Sequence, residues 1–515
     1  MLVGVPRDSQ GALARTENVS VTAIAARPRA TGSAGLVAAA LADLAADFEE
    51  LLFLARSAEE ELADAALELG RASLRKPTRA LIARELTCAR GRYEATVQRL
   101  LALRERATSS PGDPVLVDNL AAEKASLADL LRVEQALTAA LVGAADWQSP
   151  SFLHSIAPSA GRQDGRIRAH RNDYKRDRHL DADSYERRYL KAFVDGPPGL
   201  RALLTSCGMA AFTTVLSYLQ LEGKLAGPVI TGAGLYHESR LLLERALPGR
   251  LHHVDERDSD SLLRAIDELR PSAVFLDSLS NTKWMPVPEL PPLLERLAGT
   301  ETYLVLDNTC LSVSYQPFAL ADRSVRLIVF ESLLKYPQLG LDRANAGIIV
   351  AGARDAERLS AYREHLGTNV ADVAVHALPR PNRAVLKGRL ARLQRNALLL
   401  AQHLEAETEG LVEIVYPPSG LPFRGSCLSI VFPESDERLR RERALVERAI
   451  EEAARRRVAL LGGSSFGFDT TRLYLTAEGA DYGEPFVRVA AGTEHRLEIE
   501  RVAEALAAAV REVAG

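Results

Sequence analysis

The chain has 515 residues, of which 47% are hydrophobic and 26% charged, as is usual for a globular protein of about three domains. Its formal net charge of −4 gives no reason to expect nucleic acid or a membrane as a partner. The four cysteines form no CxxC pair, and no run approaches the roughly 18 apolar residues of a membrane span. We therefore predict a cytoplasmic protein without a disulfide framework or metal site.

The N-terminal part of the chain divides into a polar tail and a helical region. Residues 1–34 are rich in small and polar residues, which predicts a disordered tail. Three long runs with apolar residues at helical spacing follow, and they predict an α-helical extension over residues 35–148. Its apolar stripe is typical of a packing or oligomerisation module, and a docking arm for another protein is the alternative.

The remainder of the chain has the pattern of an α/β fold. Over residues 165–384, short strands that are apolar throughout alternate with helices, which predicts a parallel sheet covered on both faces. Residues 385–515 predict a smaller C-terminal α+β domain. Because ligands bind beyond the carboxyl ends of such strands, we single out Asp307 after "YLVL" and Ser332 with Lys335 after "LIVF".

Lys335 stands in an otherwise apolar "LLKY", where a lysine either extends its ammonium into water or is a desolvated, reactive amine. A lysine that forms an imine and an aspartate that keeps a pyridine nitrogen protonated, here Asp307, are what pyridoxal phosphate requires. The turn "LTSCGMAA" leads into a helix from about Gly208 and so offers backbone N–H groups to a phosphate. Ser332 adds a hydroxyl, and Tyr236 is an aromatic side chain that can stack on a ring.

In this order, the motifs resemble those of the Cys/Met-metabolism family of pyridoxal-phosphate enzymes, which includes cystathionine synthases and lyases and methionine lyase. The resemblance runs from about residue 172 to the C-terminus and implies the aspartate-aminotransferase-like fold type I. It is carried by "TSCGMAA", "LYHESRLL", "DSLSNTKW", "LVLDNTC", "ESLLKY", "VRVAAGTE" and, more briefly, "DYKR". The residues that it assigns to the cofactor are Lys335, Asp307, Gly208, Met209, Tyr236, Ser332, Asn281, Tyr174 and Arg176. It assigns catalysis to Lys335, Tyr236 and Tyr174, and the substrate carboxylate to Arg488.

The resemblance implies a lyase or transferase that catalyses elimination or replacement on an amino acid with a sulfur or activated-oxygen leaving group. We favour γ-chemistry because Tyr174 and Arg176 are present, and we expect a homodimer or homotetramer with active sites shared between subunits. Leu334 stands where the family has a threonine before the lysine, which suggests an altered substrate. Two alternatives remain: an aminotransferase or decarboxylase on the same fold, and an inactive scaffold with a helical docking arm.

Overall fold

The computed structural model describes residues 33–71, 75–109, 113–145, 162–163, 166–167, 180–476 and 484–515. Residues 1–32 of the predicted tail, and both Tyr174 and Arg176, lie outside the described residues. Within the described ranges, no helix has the length and apolar character needed to cross a bilayer.

Three long helices form the N-terminal part of the described chain and confirm the predicted helical extension. They are α1 (Ser33–Arg71), α2 (Lys76–Ser109) and α3 (Pro114–Ala145). α1 packs along both α2 and α3. Leu44 and Phe48 of α1 are fully buried, because apolar residues recur along one side of the helix at its own period. The buried residues of the extension belong to the same hydrophobic cluster as residues of the central region, such as Leu204 and Val350.

A seven-stranded sheet forms the centre of the molecule. The elements of this region, in chain order, are β1 (Arg162–Gln163), β2 (Arg166–Ile167), α4 (Leu180–Phe193), β3 (Leu200–Thr205), α5 (Gly208–Leu221), β4 (Val229–Gly232), α6 (His237–Ala246), β5 (Leu251–Val254), α7 (Ser259–Leu269), β6 (Ala273–Asp277), α8 (Leu290–Leu297), β7 (Tyr303–Asp307), α9 (Pro317–Leu320), β8 (Arg326–Ser332), β9 (Gly347–Gly352), α10 (Ala353–Leu366) and α11 (Asp372–Ala377).

The strand order is β3-β9-β8-β7-β6-β4-β5, and the five strands from β8 to β5 are parallel. Side chains of β8 alternate between two cores: Ile328 and Phe330 enter one, and Leu327 and Val329 enter the other. Both faces are therefore covered, as the apolar runs predict.

The predicted parallel sheet is antiparallel at one edge. β9 runs antiparallel to β8, and β3, which we did not predict as a strand, runs antiparallel to β9. The chain between β8 and β9 contains the Lys335 turn and no crossover helix of the kind that a parallel return requires. The short link therefore makes β9 return antiparallel.

A second, five-stranded sheet with the order β10-β11-β14-β13-β12 forms the C-terminal part. Its elements are α12 (Arg383–Glu407), β10 (Glu413–Val415), β11 (Cys427–Val431), α13 (Arg438–Arg455), β12 (Leu461–Gly462), β13 (Arg472–Thr476), β14 (Phe486–Ala490) and α14 (Arg496–Ala514). Side chains of α12, α13 and α14 share one hydrophobic core with this sheet. The N-terminal extension packs on both the central and the C-terminal part, since α3 contacts α11 and α1 contacts α14.

Candidate active site

The carboxyl ends of the parallel strands open into a cavity of about 680 Å³, a size suited to a small-molecule ligand. β6 and β7 are paired so that Asp277 and Asp307 are direct neighbours at this end of the sheet. Ser332 ends β8, and Lys335 lies in the turn that follows. The predicted site residues that line the cavity are Gly208, Met209, Tyr236, Asn281, Asp307, Ser332, Lys335 and Arg488. The structure therefore brings together every predicted site residue that it describes.

Lys335 is half-buried, and its side chain lines the cavity. Its Nζ atom lies 5.7 Å from the ring centroid of Phe466, which belongs to the C-terminal part. Burial lowers the pKa of Lys335 below its ordinary value, although the nearby Cys310 and Asp307 act in the opposite direction. A larger share of the amine is therefore neutral near pH 7 than at a surface lysine, as a nucleophile or base requires.

Two carboxyl groups meet at the ends of β6 and β7, and their surroundings differ. Asp307 accepts a hydrogen bond from the Thr309 backbone N–H at 2.9 Å, and burial raises the pKa of Asp307 to about 6. Burial and the neighbouring charge of Asp307 raise the pKa of Asp277 well above its ordinary value. At pH 7 the negative charge is therefore concentrated on Asp307.

The start of α5 forms one end of the cavity. Cys207 caps the helix through its sulfur, which accepts a hydrogen bond from the Ala210 backbone N–H at 3.3 Å. The first turn of α5 contains no acidic residue, so the positive end of the helix dipole is uncompensated there. A phosphate is the kind of ligand that such an end attracts.

Gly208 is required at this point because α5 approaches β8 closely. A Cβ atom on Gly208 would lie 2.7 Å from the Cβ of Ser332 and 3.2 Å from its Cα.

We predict that Gly208→Ala displaces the turn from Ser332 and raises the dissociation constant for pyridoxal phosphate by roughly tenfold or more, the cost of losing about one charge-assisted hydrogen bond. Titration of cofactor-free protein by visible absorbance measures this. Gly223→Ala is not a suitable control because its φ is +69°, whereas Gly91→Ala in α2 meets no neighbouring atom. Equal affinity for Gly208→Ala and Gly91→Ala would contradict the prediction.

Arg488, on β14, is buried and lines the same cavity. It donates hydrogen bonds to Asn281 Oδ1 at 2.7 Å and to the Tyr474 hydroxyl at 3.3 Å. Its Nε atom is buried and has no hydrogen-bond partner among the described residues. The guanidinium is therefore fixed in orientation with donor capacity left for a ligand. Asn281, which we predicted to contact the cofactor, holds Arg488 in this structure.

Tyr236 precedes α6 at the edge of the cavity and is 39% exposed. Its backbone N–H donates to Asp277 Oδ2 at 2.9 Å, which links the start of α6 to the end of β6. Burial, and then the negative charge of Glu238, raise the pKa of the Tyr236 phenol above its ordinary value. The phenol is thus protonated near neutral pH and can donate a proton or a hydrogen bond.

Several residues of the cavity wall were not predicted. Phe466, Tyr474 and Trp284 supply aromatic surface from three different segments. Tyr474 is paired with Arg488 across β13 and β14. The alternation in "RLYLT" shows which residues of β13 share a face of the sheet, but the face that lines the cavity is known only once the partner strand is known. The sequence alone therefore contains no signal for this contact.

The residues present fit pyridoxal phosphate. The start of α5 with Ser332 suits its phosphate, Lys335 its aldehyde carbon, and Asp307 its ring nitrogen. A second buried polar atom on the wall, Asp277 Oδ1, also has no hydrogen-bond partner among the described residues. Buried polar atoms are rarely left unpaired, so the cavity is built for a polar ligand.

Comparison of the sequence with known protein families supports pyridoxal phosphate as the cofactor. The family described as "Cys/Met metabolism PLP-dependent enzyme" matches residues 139–423, more than half of the chain. A curated relative, the bifunctional enzyme flvA of Aspergillus flavus, is 26% identical over 325 residues, which are 60% of this chain and 39% of that protein. The chain therefore spans well under half of that relative.

Solved structures show the same fold at low sequence identity. Cystathionine gamma synthase from Xanthomonas oryzae pv. oryzae is 21% identical with a TM-score of 0.54, covering 70% of this chain and 93% of that one. A methionine gamma lyase from Micromonospora echinospora is 20% identical with a TM-score of 0.53, covering 65% and 89%. A putative O-acetylhomoserine (thiol)-lyase from Campylobacter jejuni is 17% identical with a TM-score of 0.52, covering 69% and 93%. These similarities confirm fold type I, and the match to the family model shows that the chain belongs to the Cys/Met-metabolism family of pyridoxal-phosphate-dependent enzymes.

Proposed function

We propose that this enzyme catalyses elimination or replacement at the γ-carbon of an amino acid that carries a sulfur or activated-oxygen leaving group. The observation that carries the proposal is that Lys335, Asp307 and Arg488 line one cavity. A base, a partner for a ring nitrogen and a carboxylate binder are thus available to one ligand. The similar solved structures include a cystathionine gamma synthase, a methionine gamma lyase and a putative O-acetylhomoserine (thiol)-lyase, which supports this reaction class.

When bound, pyridoxal phosphate supplies an electron sink for bonds that break next to the amino nitrogen of the substrate. Asp307 would hold its ring nitrogen, because a carboxyl group with a pKa of about 6 is mostly ionised at pH 7 and favours a proton on that nitrogen. Gly208, Met209 and Ser332 would hold its phosphate at the start of α5. Tyr236 would cover one face of its ring.

Proton transfer falls to Lys335 and Tyr236. With the cofactor bound, the Nζ of Lys335 could take the α-proton of the substrate, because burial keeps the pKa of this amine below its ordinary value. The same Nζ can then move a proton at the β-carbon, which γ-chemistry requires and simple β-elimination does not. The Tyr236 phenol is protonated near neutral pH because its pKa is raised, so it has a proton to donate to the leaving sulfur or oxygen.

Arg488 would bind the substrate carboxylate. Since its planar guanidinium can make two parallel hydrogen bonds and an ammonium cannot, we predict that Arg488→Lys raises KM for the amino acid roughly 10- to 100-fold. Affinity for pyridoxal phosphate should be unchanged. Steady-state kinetics and a cofactor titration measure the two effects separately. The control is Arg511→Lys on α14, which alters an exposed ion pair with Glu407 of α12. An unchanged KM for Arg488→Lys would remove Arg488 from substrate binding.

Product analysis tests the reaction class. The protein is loaded with pyridoxal phosphate and incubated with γ-substituted amino acids such as cystathionine, methionine and O-acetylhomoserine, and with the β-substituted cysteine. Elimination at the γ-carbon yields 2-oxobutanoate, ammonia and the leaving group, and replacement yields a new thioether when a thiol is supplied. Keto acid without ammonia would indicate an aminotransferase, carbon dioxide a decarboxylase, and pyruvate from cysteine β-chemistry. Failure to bind the cofactor would support an inactive scaffold.

The assembly and location of the enzyme are also proposals. We infer a cytoplasmic homodimer or homotetramer in which Tyr174 and Arg176 of one subunit reach the cofactor phosphate of its neighbour. The short "DYKR" match to the family is what supports this. Light scattering at assay concentration should therefore give two or four times the 56.0 kDa of one chain. A monomeric mass for the active enzyme would contradict the shared site.

A further inference from the structure

The helical extension contacts the two segments that carry the active-site groups. One is the Lys335 turn, residues 335–342, and the other is the Phe466 loop, residues 463–471. Four charged residues connect them to the extension: Glu50 from α1, Arg132 from α3, Arg389 from α12 and Asp469 from the Phe466 loop. We call these four residues the clamp.

Arg389 is the centre of the clamp and is fully buried. It donates to Glu50 Oε1 at 2.5 Å and, on its other side, to Asp469 Oδ1 at 2.8 Å. It also donates to the carbonyl oxygen of Gly467 at 2.9 Å. One guanidinium therefore joins the extension to the backbone and the side chain of the Phe466 loop.

Arg132 makes the second connection, directly from α3. Its Nε and Nη2 atoms donate to the carbonyl oxygen of Gly340 at 3.2 and 3.1 Å. Its Nη2 also lies 3.1 Å from Asp469 Oδ2. Arg132 thus bridges the Lys335 turn and the Phe466 loop. Although burial opposes ionisation of Asp469, Arg389, Lys124 and Arg132 hold the pKa of that carboxyl below its ordinary value.

The two bridged segments are in contact beside the reactive amine. Gly467 has a φ of +91°, and a Cβ atom there would lie 3.1 Å from the carbonyl carbon of Lys335. The ring of Phe466 lies 5.1 Å from that of Tyr336, between centroids, and faces Lys335 Nζ. Any movement of the Phe466 loop therefore changes the surroundings of Lys335.

We propose that the helical extension is a positioning element of the active site, in which Arg132 and Glu50, through Arg389 and Asp469, set the distance between the Lys335 turn and the Phe466 loop. Neither residue contacts the cavity, so both act through others. The proposal rests on the assignment of Lys335 as the residue that holds the cofactor. It gives the extension a role in catalysis that a separate packing module would not have.

Arg132→Gln tests the proposal, since Asp469 keeps Arg389 as a partner and the protein is expected to fold. Hydrogen–deuterium exchange of cofactor-free protein should be faster in residues 335–342 and 463–471 than in wild type. In the loaded enzyme, kcat should fall about tenfold with full cofactor content, because small displacements of reacting groups are costly. The visible circular dichroism of the bound cofactor should change as well. Arg132→Lys should restore part of each effect.

Matched controls come from the same helices. Asp129→Asn alters the exposed partner of Arg132 on α3. Glu49→Gln alters an exposed residue of α1 that pairs with Arg104 inside the extension, and is compared with Glu50→Gln. If Glu50→Gln does not fold, Arg132→Gln alone decides. Exchange, kcat and dichroism of Arg132→Gln equal to those of Asp129→Asn would overturn the proposal. The exchange and dichroism results do not depend on which amino acid is turned over, so they are independent of the reaction class proposed above.

Discussion

Lys335→Ala should abolish the visible absorbance of protein-bound pyridoxal phosphate and lower kcat by at least about 10³-fold. The substitution removes the only amine we assign to the cofactor, together with a proton-transfer group that is worth roughly 10²- to 10⁴-fold by itself. Absorbance spectra of the reconstituted protein and assays with the substrate that wild type accepts measure both effects.

A second lysine provides the matched control for this substitution. Lys283 also lines the cavity but forms an ion pair with Glu484. Lys283→Ala should keep the absorbance band of the bound cofactor. If the band persists in Lys335→Ala and disappears in Lys283→Ala, the assignment of the cofactor lysine is wrong.

Arg389→Leu should lower the free energy of unfolding by about 3–5 kcal/mol, because it removes a fully buried guanidinium that two carboxylates share and leaves Glu50 with Arg392 and Asp469 with Arg132. Glu50 and Asp469 both lose a charged hydrogen bond at 2.5 and 2.8 Å. Urea unfolding followed by circular dichroism measures the loss. Arg104→Ala, which removes an exposed partner of Glu49, should change the free energy of unfolding by at most about 1 kcal/mol. Similar losses in the two variants would contradict the burial argument.

The effect of Arg389→Leu should also depend on pH in a defined direction. Asp469 has a folded-state pKa below its ordinary value of 3.8, so its contribution to stability is present above that pH and is lost as the pH falls. Arg389 is the largest favourable cause of this shift. The difference in stability between wild type and Arg389→Leu should therefore be greatest near neutral pH and should shrink below about pH 4.

The sequence was sufficient to predict which residues at the strand ends line the cavity. Asp307 and Lys335 follow apolar strands directly, and parallel strands bring their carboxyl ends together whatever the details of packing. Gly208 was predictable for a similar reason, since a glycine before an apolar helix marks a close approach of the backbone. By contrast, the partnership of Asn281 with Arg488 joins residues 207 positions apart and depends on how the two sheets face each other.

The connection between the extension and the rest of the enzyme was not predicted. Asp43, Asp47 and Glu50 recur at helical spacing beside the apolar stripe of α1, where charged residues are usually solvated. Each is buried and faces a cation. Arg389, Arg392 and Arg395 of α12 have the complementary spacing. The two rows could have been noticed separately, but over 300 residues separate them, and no local pattern indicates that they pair.

The pairing of these two rows has a consequence for how the protein is made. During synthesis α1 is made before the seven-stranded sheet, and α12 is made after it. The acidic row Asp43, Asp47 and Glu50 therefore stays exposed to water while the intervening chain is synthesised. Burial of that row is favourable only when the arginines arrive, because an unpaired buried carboxylate is costly. The extension can therefore pack against the rest of the molecule only after α12 has been synthesised. A chain truncated before α12 would leave this face of α1 exposed, and we expect proteases to cleave such a chain faster than the full-length protein.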